Sequence, residues 1–156
     1  MTDVKLNNGN GRRKTRFGLI LTLVGFFIFT LGAAPEFYGL DRSPVIGFVQ
    51  IAVFLTGLGI ICIGGYLSIS SLWNGHRRTI AADIGLRLVA TGYVISVISG
   101  MADVFGMGNQ PWPEIPYFGV WQSTGVIIGQ LIIAFGFLLM IPPKSIYRQK
   151  NIEANP

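Results

Sequence analysis

The chain has 156 residues, a net charge of +5 and only 12% charged side chains, about half the charged fraction of an average soluble domain. With 51% hydrophobic residues and a mean hydropathy of +0.56, this balance argues against an ordinary water-soluble domain and for a bilayer as the solvent. The basic excess is not a nucleic-acid signature: the lysines and arginines sit at the ends of apolar blocks and are not interleaved with stacking aromatics.

Residues 1–16 are read as a polar, basic and flexible tail, ending in Arg12, Arg13, Lys14 and Arg16, whose charges suit anionic lipid headgroups. The first apolar block, Phe17 to Ala34, resembles a secretory signal followed by small residues. Retention is expected, because Pro35 would follow the cut and the block has a counterpart later in the chain. After a short loop bearing Glu36, Asp41 and Arg42, the second block runs from Val45 to Trp73. It exceeds the ~20 residues that cross a bilayer, and Trp73 is placed at headgroup level. Residues 74–79 form a cytoplasmic turn in which Asn74-Gly75 stops one helix and Thr79 caps the next.

The third block extends from Ile80 to about Phe105, with Asp83 and Arg87 one turn apart on a face where they can pair. Pro111, Pro113 and Pro116 exclude helix from the following loop. Trp112, Tyr117, Phe118 and Trp121 there suit a membrane interface. The fourth block, Tyr117 to Ile141, stops at Pro142-Pro143 and precedes a basic tail over residues 144–156. Eleven of the twelve basic residues lie in the two tails and the middle turn with its flank, and four of the seven acids lie in the other two loops. The positive-inside rule then puts both termini in the cytoplasm, with the plasma membrane as the expected location.

The blocks repeat. Pro44, Gly47, Gln50, Gly57 and Gly64 recur as Pro116, Gly119, Gln122, Gly129 and Gly136, at an offset of 72 residues. Gly18, Gly25, Gly32, Glu36, Tyr38 and Gly39 recur at an offset of 67 as Gly85, Gly92, Ser99, Asp103, Phe105 and Gly106. The expected fold is an all-α integral membrane protein with four transmembrane helices. They form two tandem hairpins, residues 17–73 and 80–143, as parallel repeats about an axis along the membrane normal. In each helix a mostly small residue every seven positions marks a packing seam, with Gly57, Gly64, Gly92, Gly125, Gly129 and Gly136 as its principal members.

Chemistry is thin. His76 is the sole histidine and is read as a solvated turn residue, and Cys62 as a small buried hydrophobe. Ser68, Ser70 and Ser71 lack a base and are expected to bond backbone. No cofactor or metal set is recognised, and a non-enzymatic role is expected. Glu36, Asp103, Gln50 and Gln122 form symmetric polar pairs near the external face. They either line a vestibule for a cation or polar solute, or make interhelical and headgroup hydrogen bonds. Gln130, facing Leu58 in the repeat, is the expected site of a buried asymmetric hydrogen bond. The composition fits a small structural or accessory protein that packs against itself or a larger membrane complex. The alternative is a small oligomeric transporter or channel.

Overall fold

The computed structural model describes residues 7–39, 47–73, 77–107 and 119–143. These form four long helices, α1 (Asn7–Ala33), α2 (Phe48–Leu72), α3 (Ile80–Gly100) and α4 (Val120–Met140), with a short 3-10 helix at Pro35–Tyr38 and no strand among the described residues. All four helices are long and apolar enough to cross a membrane. The Asn74-Gly75-His76 turn, Pro44, Asp41, Arg42, the proline-rich loop with Trp112 and Glu114, Tyr117, Phe118 and the carboxy-terminal tail lie outside the described residues.

The first helix starts earlier than hydropathy indicates. Asn7 to Arg16, read as a flexible tail, is helical. Only the last turn of this stretch is held by α2, where Thr15 Oγ1 meets Ser71 Oγ at 2.6 Å; the earlier turns continue α1 past the end of α2 at Leu72. At the other boundaries local chemistry sets the ends. Thr79 caps α3 as expected, its hydroxyl accepting from Ala82 N at 3.3 Å. Gly47 and Gly119 are the amino-terminal caps of α2 and α4, with matching backbone angles (φ −81°, ψ 158° and φ −73°, ψ 160°). Space around both is open, so these glycines end the preceding loop and do not serve close helix approach.

The loops after α1 and α3 close alike. Gly39 donates to the Glu36 carbonyl at 3.1 Å and Gly106 to the Asp103 carbonyl at 3.2 Å. Both glycines are left-handed, at φ 65° and 73°, a conformation costly for any residue with a Cβ.

Helix α1 lies along α2 and α3 along α4, while contacts between the two hairpins are far sparser. The seams are backbone to backbone. A Cβ on Gly25 would stand 2.7 Å from Ile61 N, and one on Gly64 would stand 2.8 Å from the Gly18 carbonyl. In the second hairpin a Cβ on Gly92 would stand 2.5 Å from the Gly129 carbonyl, and one on Gly136 would stand 2.7 Å from that of Gly85. Equivalent positions therefore face each other in both hairpins. Ser96 is fully buried in the second seam and bonds the Gly92 carbonyl at 3.0 Å.

Between the hairpins the packing is of another kind. Tyr93 of α3 lies over Gly59, and Phe137 of α4 over Gly65. These rings sit beside a core of Leu58, Cys62, Val89, Ile133 and Met140. Trp73, at the end of α2 where headgroup level is expected, is buried against the protein, 3% exposed. Its Nε1 donates to the Met140 carbonyl at 3.1 Å. That carbonyl ends α4 and has no intrahelical donor to receive, which gives the indole a reason to turn inward.

Candidate functional site

The amino-terminal ends of α2 and α4 and the carboxy-terminal end of α1 enclose a half-open cleft of about 280 Å³. Phe29, Gly32 and Ala33 line it from α1. Gln50, Ile51 and Phe54 come from α2, and Ser123, Val126, Ile127 and Gln130 from α4. Since α2 and α4 share this end, and share the Trp73 contact at the other, they run in the same direction.

Each wall has a local cause. Gly32 lets α2 approach until its Cβ position falls 2.7 Å from the Phe54 Cα, and the Phe29 and Phe54 rings meet there, centroids 5.0 Å apart and tilted 47°. The third helix supplies no residue to the lining. Ser123 spends its hydroxyl proton on the Val120 carbonyl at 2.9 Å. The polar groups left to the cleft are the amides of Gln50, near the start of α2, and Gln130, roughly 15 Å of helix rise into α4. Both are partly buried, and neither has a hydrogen-bond partner among the described residues.

The two glutamines that align at the 72-residue offset therefore part company. Gln122 turns back to accept from its own cap, Gly119 N, at 2.9 Å. This is one half of a capping box; the glycine has no side-chain oxygen for the other half. Gln50 occupies the same place on α2, yet makes no such bond and lines the cleft. Gln130 lines it too and does not make the buried hydrogen bond expected of it. Glu36 is exposed on the 3-10 helix and Asp103 half-buried in the turn after α3; neither is in the cleft lining.

At the opposite end, Arg78 reaches from the start of α3 back to α2. Its Nη2 donates to Ser70 Oγ at 2.7 Å and to Tyr66 Oη at 3.1 Å, with the guanidinium 5.3 Å from the Tyr66 ring centre. Asp83 and Arg87 are both exposed, and no ion pair joins them among the described residues. Ser71 bonds the Ser68 carbonyl at 2.6 Å, whereas the buried Ser68 Oγ has no hydrogen-bond partner.

Gly59 and Gly65, which receive the rings of the second hairpin, are absent from the seven-residue seams. A signal exists for Gly65 alone: at the 72-residue offset it aligns with Phe137, the ring that packs on it, whereas Gly59 aligns with the exposed Leu131 and receives Tyr93. A small residue aligned with a large one lets ring and glycine interlock at that position. No protein-family model, curated protein or solved structure matches the chain.

Proposed function

We propose that the chain is an integral membrane protein, built from two duplicated, parallel-related hairpins. In this reading it acts without catalysis as a structural or accessory component, packing against itself or a larger membrane complex in the plasma membrane. The observation that carries this reading is the apolar outer surface of the helices. Phe17, Leu23, Phe26, Leu131, Phe135 and Leu138 are each more than half exposed, a surface that lipid accepts and water penalises. The duplication is supported by the matched seams, the matched glycine caps of α2 and α4, and the matched left-handed Gly39 and Gly106.

Arg12, Arg13, Lys14, Arg16, Arg77 and Arg78 gather at one end of the bundle and Glu36 and Asp103 at the other. The positive-inside rule makes the basic end cytoplasmic. With Cys62→Ala as background, a thiol reagent that does not cross membranes should modify Asn109→Cys on intact cells and spare Asn8→Cys. External labelling at position 8 would reject the orientation.

Mass determination after purification in mild detergent tests the accessory role. A stoichiometric partner or a defined homo-oligomer is the expected result, and a monodisperse monomer counts against it. A small oligomeric transporter or channel for a polar or cationic solute is the second reading, favoured by the shared cleft position of Gln50 and Gln130. Solute flux in liposomes bearing a homo-oligomer would decide for it.

A further inference from the structure

We propose that the cleft between α1, α2 and α4 binds a neutral, lipid-like amphiphile, whose hydroxyl or carbonyl oxygens pair with the amides of Gln50 and Gln130. The inference rests on the membrane reading above. In that setting Gln130 lies near mid-depth, roughly 15 Å along a helix that crosses ~30 Å of hydrocarbon. A primary amide there carries two donors and an acceptor, and hydrocarbon satisfies none of them. No group among the described residues satisfies them either. Gln50, sited to bond its own helix cap as Gln122 does, instead lines the cleft. Two amides without partners among the described residues thus border one cavity, at different depths.

The lining selects the occupant. Among the described residues it contains no Asp, Glu, Lys, Arg or His, so a charged head would meet no counter-ion from them in a low-dielectric site. Phe29, Phe54, Ile51 and Ile127 supply apolar walls for a chain. The size, about 280 Å³, suits a head group with the first part of an acyl chain. A partner helix, roughly 10 Å across, would need a groove along the whole bundle, whereas this cleft runs from one end only to about mid-depth.

The test uses the full chain in phosphatidylcholine nanodiscs doped with a monoacylglycerol bearing a diazirine in its acyl chain. After irradiation, labelled peptides are mapped. Label should concentrate on residues 29–33, 50–54 and 123–130, and excess unmodified monoacylglycerol should compete it away. Gln130→Leu should lower that label about tenfold, the effect of one hydrogen bond on affinity, with the thermal midpoint retained. Gln50→Leu, placed near the helix end, is the second variant and should act in the same direction. A photoreactive fatty acid, ionised at its head, should label the cleft weakly. Label spread evenly over the outward faces of α1 and α3 would overturn the proposal. So would cleft label unchanged in both variants, or a co-purified protein that shields the same peptides. Failure of the chain to enter nanodiscs would instead reject the membrane reading.

Discussion

The indole of Trp73 donates to the main-chain carbonyl of Met140 at 3.1 Å, so the end of the first hairpin caps the last turn of the second. This bond joins hairpins whose mutual contacts are few. Trp73→Phe keeps most of the packing and leaves a buried carbonyl without its donor. It should cost about 1–3 kcal/mol, read as a lower thermal midpoint in detergent. An unchanged midpoint would mean that water or lipid replaces the donor.

The seams make a sharper contrast. Gly92→Ala adds one methyl 2.5 Å from the Gly129 carbonyl. Two backbones must then separate, and overpacking of this kind costs about 1–3 kcal/mol. Gly47→Ser, in open space with an extended backbone, should be neutral or slightly stabilising, because serine is a good amino-terminal cap. Thermal midpoints of the two variants in the same detergent check both arms. Equal losses would show that glycine content, and not position, governs stability.

Gly106→Ala meets no steric neighbour, but it places a Cβ on a left-handed residue. A loss of about 1–2 kcal/mol is expected, and Gly39→Ala should lose a similar amount, since both glycines close the same turn. Denaturation in mixed micelles measures both. A large effect at one position only would argue that the two turns are not equivalent.

Much of the helical frame is legible in the sequence. Boundaries near Leu72, Ile80 and Met140 follow from hydropathy, Thr79 and Pro142-Pro143, which are local signals. That Gly25, Gly57, Gly92 and Gly129 are seam positions follows from the seven-residue spacing; which glycine meets which is seen only in the packed helices. What was not legible depends on neighbours from distant sequence. The last turn of Asn7 to Arg16 is tied to α2 through Thr15 and Ser71, a contact no local pattern announces. Trp73 turns inward because Met140 happens to end beside it. Gln50 and Gln122 share a motif and a position, yet only Gln122 bonds its own cap. The motif fixes where the backbone starts a helix; the surroundings decide what the side chain does. The cleft itself, drawn from three helices, has no local pattern to announce it.

The division between dense seams within hairpins and a few ring-on-glycine contacts between them bears on assembly order. Each hairpin can complete its closest contacts with residues made within one short stretch of synthesis. The first can close before the second leaves the ribosome, an order that would leave docking of Phe137 on Gly65 to the last. If so, the covalent link between the halves is dispensable. Residues 1–76 and 77–156, expressed as two chains, should co-purify from membranes, and Gly65→Trp should separate them while leaving each hairpin inserted. Failure of the halves to meet would show that the connection itself holds the bundle together.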